Sequence, residues 1–301
     1  TDNRAPTVSF TVDGVDPEII AEKLAKQRIG IANGNCYAYR LMEALGIPPE
    51  QGVVRLSFVH YTSKEEVRRL IDALADIGTA LELRPTFGIG ILTVFMRVEG
   101  RVIGVIANNP AHLGGAIDSD SSDKASRFIQ LCDAYDIPII SLCDTPGFMV
   151  GPDAEQTAQV RHFGRMFVTA ASITVPWITI VLRKGYGLGA QAMAGGSFHG
   201  NTMTVSWPTG EFGGMGLEGA VRLGYRKELE AITDDAERAA LEAKLIASAY
   251  ERGNALNMAS HVEIDDVIDP AETRARILSI IGRGTSWRQR TGKKRPMVDT
   301  W

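Results

Sequence analysis

Three apolar runs constrain the fold more than any other feature: RVIGVIANN (101–109), IPIISLCDTPGF (137–148) and PWITIVLRKGYG (176–187). None alternates apolar with polar residues, as a strand with one wet face would, so each reads as a strand buried on both faces. Between them SDKASRFIQLCDAYD (122–136) and AEQTAQVRHFGRMFVTAASI (154–173) read as helices. Strands and helices in that alternation are expected to build an α/β core with helices packed against the sheet. A further long helical stretch is expected over 234–260.

The first 77 residues follow a different pattern. Strands are expected at 7–12, 29–34 and 53–59 and helices at 16–27, 37–46 and 63–77, the last carrying Val67, Leu70, Ile71 and Leu74 at helical spacing. This reads as a small α+β unit over 1–78, with the boundary near Gly78 and a second domain over 79–301. No fixed-period repeat is present.

With 301 residues, 45% of them hydrophobic, the chain is long enough for one large or two modest cores. A net charge of −4 and the lack of a basic stripe before the C-terminal tail argue against nucleic-acid binding. The tail itself, 282–301, is basic and reads as a solvated or subunit-contacting extension. Cys36, Cys132 and Cys143 are spaced for neither a disulfide framework nor a zinc site, and Cys132 and Cys143 read as small core residues. Without a signal peptide or an apolar run of membrane length, a cytoplasmic protein with no membrane partner and no metal is expected.

The stretch RKGYGLGAQAMAGG (183–196) has the layout of a phosphate loop, a strand entering a glycine-rich turn and then a small-residue helix. Its spacing excludes that role. Gly185, Gly187 and Gly189 give G-x-G-x-G, residue 192 is Ala, and no Gly-Lys-Ser/Thr follows. What remains is a helix start whose bare N–H groups suit an oxyanion. A second strand-to-turn junction, DTPGF (144–148), offers Gly147 and Phe148 in the same way. The sequence shows no serine nucleophile elbow, His-Glu-x-x-His or convincing triad. His112, His162 and His199 have no partner at useful sequence spacing, and paired-carboxylate work by Glu211 and Glu218 is not favoured because glycines interrupt the stretch between them.

Four ordered segments carry a family resemblance: 107–148, 174–196, WPTGEFGGMGLEGAV (207–221) and IDDVIDPAETRARI (264–277). From about residue 80 onward the chain resembles the carboxyltransferase C-terminal domain of biotin-dependent acyl-CoA carboxylases. Residues 1–77 resemble the small C-terminal domain of class V aminotransferases and cysteine desulfurases, through GNCYAYRLMEALG (34–46) and VVRLSFVHYTSKEEVRRLIDAL (53–74). In that second family an arginine matching Arg55 clamps the substrate carboxylate, whereas the desulfurase cysteine aligns with Tyr37, one place from Cys36. The large domain with the cofactor lysine has no counterpart, so no pyridoxal phosphate is expected.

The carboxyltransferase resemblance implies a crotonase-like ββα spiral that moves CO2 between carboxybiotin and the α-carbon of an acyl-CoA through an enolate. It also implies that the biotin ureido group can take the α-proton, which removes the need for a His or Glu base. By the same resemblance Gly147, Phe148, Leu188 and Gly189 are the candidate oxyanion residues, and one such donor is worth roughly 3 kcal/mol. Gly187, Gly189 and Ala190 face biotin. Asn108, Asp144, Arg183, Lys184 and Gln191 are candidates on the substrate side, with Asp144 orienting its loop. Asn109 is weighed with Asn108 as lining the same crevice. Gln191 matches a position that influences the accepted acyl chain. Arg183 and Lys184 are open to two readings, contact with biotin carboxylate or CoA phosphates and surface ion pairing. The implied partners are biotin carboxyl carrier protein, a biotin carboxylase subunit and further copies of the chain in a homo-oligomer. Two other classes stay open: a noncatalytic biotin-carrier or subunit docking module, and a biotin-independent crotonase-type hydrolase or decarboxylase.

Overall fold

The computed structural model describes residues 7–11, 16–26, 31–34, 42, 46–48, 50–57 and 80–282. The chain divides into two compact units, one formed by 1–62 with 269–274 and the other by 63–268 with 275–301. In the first, β1 (Thr7–Phe10), α1 (Pro17–Lys26), β2 (Ile31–Gly34) and β3 (Val53–Ser57) make an antiparallel sheet in the order β1-β3-β2. Proline at the first position of α1 suits a site where an N–H would go unused, and Asp16 Oδ1 accepts the Glu18 N–H at 2.8 Å. Arg55 lies in β3, opposite Ser9 and Ala32. Cys36, Tyr37, the helix expected over 63–77, the Gly78 boundary and all of the basic tail except Gly282 fall outside the described residues. So does the helix expected over 37–46, apart from Met42 and Gly46.

The second unit is an α/β unit. Its elements are β4 (Leu81–Glu82), β5 (Ile91–Val98), β6 (Arg101–Asn108), α2 (Ser119–Ala134), β7 (Ile139–Thr145), α3 (Pro152–Gln156), α4 (Gln159–Ala170), β8 (Trp177–Tyr186), α5 (Gly187–Met193), β9 (Met203–Ser206), β10 (Glu211–Gly213), α6 (Leu217–Gly224), α7 (Asp235–Gly253), α8 (Ala255–Ser260), β11 (Asp266–Val267) and α9 (Thr273–Ile281). The sheet runs β11-β9-β8-β7-β6-β5-β4, parallel from β11 to β6 and antiparallel at β5 and β4. β10 stands outside this order and pairs with β8. A two-residue turn joins β5 to β6, with Glu99 and Gly100 both at positive φ, the twist that suits a tight hairpin.

Successive residues of the central strands feed two separate cores. Ile139, Cys143, Trp177 and Val181 pack with Phe128, Ile129 and Cys132 of α2 and with Ala190 and Met193 of α5. Their neighbours Ile140, Leu142, Ile178 and Ile180 pack on the other face with Trp207, Ile277 and Ile281. This two-sided burial explains the unbroken apolar runs, since each large aliphatic side chain buried in them is worth about 1.5–3 kcal/mol when removed from water. α2 starts at an Asp118 N-cap whose carboxylate accepts the Ser121 N–H at 2.8 Å.

Two expected helices are interrupted. The one expected over 154–173 breaks at Ala158, which is left-handed at φ 55°, and resumes as α4 with Gln159. That break carries the Gln159 side chain inward, where its amide donates to the Ile117 carbonyl at 3.1 Å and accepts from Ser119 Oγ at 2.6 Å. The stretch over 234–260 divides at Asn254, whose side chain accepts the Asn257 N–H and so caps α8.

Candidate functional site

The parallel strands β6, β7 and β8 end side by side at Asn108, Thr145 and Tyr186, the edge at which open α/β sheets place their ligands. Here the β7–β8 register slips. Cys143 faces Val181 while Thr145 faces Gly185, so β8 carries two extra residues opposite Asp144. Such a bulge breaks the ladder and strands backbone polar groups. Side chains replace the missing bonds: Thr209 Oγ1 donates to the Leu182 carbonyl at 2.5 Å, Asp144 Oδ1 accepts the Lys184 N–H at 3.2 Å, and the Cys143 thiol donates to the Lys184 carbonyl at 3.7 Å.

Asp144 is the centre of this repair. Its own N–H donates to Asn108 Oδ1 at 3.0 Å, and its carboxylate takes the Arg183 Nε and Nη2 at 3.2 and 3.0 Å. The Arg183 guanidinium is therefore committed to a two-point ion pair. Of its two open readings, the pair is the one the geometry contains, though its partner is the buried Asp144 and not a surface group. Asn108 and Asn109 are both buried. Asn109 donates to the Ile89 carbonyl and accepts the Ala111 N–H, whereas the Asn108 side-chain nitrogen has no hydrogen-bond partner among the described residues.

Beyond the bulge the two glycine junctions meet. A Cβ built on Gly189 would lie 2.6 Å from the Gly147 carbonyl carbon and 2.9 Å from the Phe148 nitrogen, so only glycine permits this approach. Gly187, at φ 59°, lets β8 turn directly into α5, and a Cβ there would stand 2.8 Å from the Gly214 carbonyl oxygen. Tyr186, the N-cap residue, makes no side-chain bond to the first turn, so the Leu188 and Gly189 N–H groups are left uncapped. At the other junction the Gly147 N–H is already spent on Thr145 Oγ1 at 3.1 Å. The Ile117–Phe148 bridge uses the N–H groups of Ile117 and Met149, which leaves that of Phe148 outside it. The Phe148 ring stacks on Phe163 with centroids 4.3 Å apart, so the residue offers its backbone to the strand end.

The remaining sequence candidates fall on both sides of α5. Leu188 and Gln191 are exposed and three residues apart on one face, while Ala190 is fully buried in the core and has no side chain to present. Lys184 is half-buried at the bulge. Cys132 and Cys143 are free and buried, and burial pushes both thiols up, which suits core residues.

Sequence spacing missed every histidine partner. His112 Nε2 pairs with Asp118 Oδ2 at 2.8 Å, His162 Nδ1 with Asp123 Oδ2 at 2.9 Å, and His199 Nε2 with Glu263 Oε2 at 3.4 Å. Glu211 and Glu218 lie on different elements, β10 and α6, and each accepts a tyrosine hydroxyl, from Tyr186 at 2.8 Å and from Tyr250 at 2.6 Å. Neither tyrosine stands out in the sequence; the only local hint is the place of Tyr186 between the glycines. Among the described residues no cluster of His, Cys, Asp and Glu could hold a metal, and no helix is long and apolar enough to cross a membrane.

A mostly parallel sheet with glycine turns at the ends of β7 and β8 defines an α/β protein with its candidate site at the strand ends. More narrowly, residues 57–295 match the carboxyl transferase domain, and the chain belongs to that family. Residues 1–70 match the class V aminotransferase model. The methylmalonyl-CoA carboxyltransferase 12S subunit of Propionibacterium freudenreichii subsp. shermanii is 38% identical over 235 residues, which is 76% of this chain and 43% of that one. The propionyl-CoA carboxylase beta chain of Cereibacter sphaeroides is 37% identical over 212 residues, 70% of this chain and 40% of that one. The chain thus spans under half the length of these relatives. Among solved structures, a single-chain, multi-domain long-chain acyl-CoA carboxylase matches with 60% identity and a TM-score of 0.64, covering 71% of this chain and 21% of that one. A transcarboxylase 12S structure, a hexamer with methylmalonyl-coenzyme A bound, matches with 36% identity and a TM-score of 0.68, covering 77% and 44%. The fold is the crotonase-like α/β fold of these carboxyltransferases.

Proposed function

We propose that this chain is the biotin-facing carboxyltransferase component of an acyl-CoA carboxylase, serving transfer of CO2 between carboxybiotin and the α-carbon of an acyl-CoA. The observation that carries this reading is the contact of Gly189 with Gly147 and Phe148, which joins the uncapped start of α5 to the glycine turn at the end of β7. The N–H groups of Phe148, Leu188 and Gly189 hold an oxygen on which negative charge develops, and they do so without reorganising. Without side chains at Gly187 and Gly189 the turn packs directly on the Gly214, Gly147 and Phe148 backbones, and in this reading a flat ureido ring meets main-chain groups there. Ala190 serves from below, by packing the turn against the core. When bound, carboxybiotin supplies the activated carboxyl group.

Asp144, with Asn108 and Arg183, sets the β8 bulge and so the height of the second junction. The unpartnered Asn108 amide is a further donor for substrate, Lys184 a cation for a carboxylate or phosphate, and the exposed Gln191 the residue that meets the acyl group. The partners in this reading are a biotin carboxyl carrier protein, a biotin carboxylase subunit and other copies of the chain. Two free cysteines suit a reducing cytoplasm. In this reading residues 79–301 are the carboxyltransferase domain and 1–78 the domain resembling class V aminotransferases, a division by sequence resemblance rather than by the contacts that group 269–274 with 1–62.

The test is Gly189→Ala, assayed for carboxyl transfer between methylmalonyl-CoA and free biotin. The added methyl meets backbone, which cannot move aside as a flexible side chain would. Loss of one well-placed donor is expected to lower kcat about 100-fold. A variant that keeps wild-type kcat would remove the junctions from the mechanism.

A further inference from the structure

The carboxyl-transfer reading leaves unused a buried tyrosine beside the junctions. Tyr186 is 3% exposed and is the last residue of β8, immediately before the positive-φ Gly187. Its hydroxyl donates to Glu211 Oε2 at 2.8 Å. Glu211 opens β10, a three-residue strand that pairs with the end of β8: Glu211 lies opposite Lys184, Phe212 opposite Gly185 and Gly213 opposite Tyr186. β10 is therefore a splint on the residues that lead into α5, and the Tyr186–Glu211 bond ties the splint to the turn through side chains as well.

The tie extends outward. Tyr250 of α7 donates to Glu218 of α6 at 2.6 Å, and the two pairs act on each other electrostatically. Burial, followed by the hydrogen bonds and charges of the two glutamates, pushes both phenols up, so each stays a protonated donor through the neutral range. The Tyr250 hydrogen bond in turn holds the Glu218 carboxyl below the usual range. Glu211 also forms a backbone bridge with Asn254, where α7 gives way to α8. The turn before Gly189 is thus held by Asp144 from the β7 side and by this tyrosine–glutamate cluster from the β10 side.

We propose that Tyr186 is a positioning residue for carboxyl transfer: its hydrogen bond to Glu211 latches the β8–α5 turn to β10 and keeps the Gly189 backbone seated against Gly147 and Phe148. This rests on the reading of those backbone groups as the oxyanion site. The latch differs from ordinary core packing in a way that substitution separates. Tyr186→Phe keeps the buried ring and removes only the donor. Glu211→Gln keeps an acceptor oxygen for the hydroxyl, and Glu211→Leu does not.

In the full chain, kcat and KM for transfer between methylmalonyl-CoA and free biotin are measured together with amide exchange of the 187–193 and 139–145 segments. Tyr186→Phe is expected to lower kcat about tenfold with KM for biotin within about twofold, since a small misplacement of a reacting group acts mainly on kcat. Exchange is expected to rise in 187–193 and to stay unchanged in 139–145. Glu211→Gln is expected to recover most of the kcat lost in Glu211→Leu. Wild-type kcat and exchange in Tyr186→Phe, a rise in exchange shared equally by 139–145, or Glu211→Gln no better than Glu211→Leu would each overturn the latch. If the wild-type chain shows no biotin-dependent transfer, the functional reading fails, and the exchange pattern of the three variants still decides the latch.

Discussion

Asp144 shows how one side chain can stand in for a broken ladder. Its carboxylate satisfies Arg183 and the Lys184 N–H, and its N–H is taken by Asn108, all at the point where β8 gains two residues. Removing the carboxylate leaves a half-buried guanidinium and a backbone donor without their acceptor. Asp144→Ala is expected to destabilise the chain by about 2–3 kcal/mol, and Asp144→Asn by less because its amide oxygen still accepts one bond. Urea denaturation of both variants checks this; equal losses, or none, would mean that the bulge holds without the carboxylate. The sequence marks Asp144 as an orienting residue by its place at a strand end before Thr-Pro-Gly. It does not mark Arg183 as the residue oriented, because the two meet 39 positions apart through a register slip that no local pattern encodes. The histidine–carboxylate pairs are hidden for the same reason in two cases, at separations of 39 and 64 residues.

Elements were legible where burial alone decides them. β6, β7 and β8 read directly from their apolar runs, because both faces of the sheet are covered there, whereas β5, equal in length to β6, is not among the strands read this way. Helix ends and interruptions were less legible. The break at Ala158 is imposed by the distant partners of Gln159, and a helical periodicity runs through it undisturbed. α2 begins three residues before its expected start because Asp118 caps it. Burial works to raise the Asp118 carboxyl, but its bonds from Ser121 and His112 prevail and hold it below the usual range. A carboxyl lowered by folding adds stability above its unfolded pKa of about 3.9, and that contribution is lost as pH falls through the folded value. Asp118→Ala is therefore expected to cost about 1 kcal/mol at pH 7 and progressively less below about pH 4, measured by thermal unfolding across that range. A penalty that grows as the pH falls would contradict the sign of the shift.

At the scale of the molecule, family and fold follow from the second unit, whose four motifs appear in order along a crotonase-like sheet. The candidate site was legible as a pair of glycine turns; that they touch, and that Gly147 has already spent its N–H, required the fold. The first unit matches a different family, so the chain combines two resemblances while spanning under half of its carboxyltransferase relatives. The activity proposed for this chain is accordingly carboxyl transfer. The deciding assay follows labelled carboxyl from methylmalonyl-CoA in the presence and absence of free biotin, using the chain alone and the chain mixed with the portion of a propionyl-CoA carboxylase beta chain that it does not match. Label is expected in carboxybiotin, only when biotin is present, in at least one of the two arrangements. Release of label without biotin, or biotin binding with no transfer in either arrangement, would contradict it.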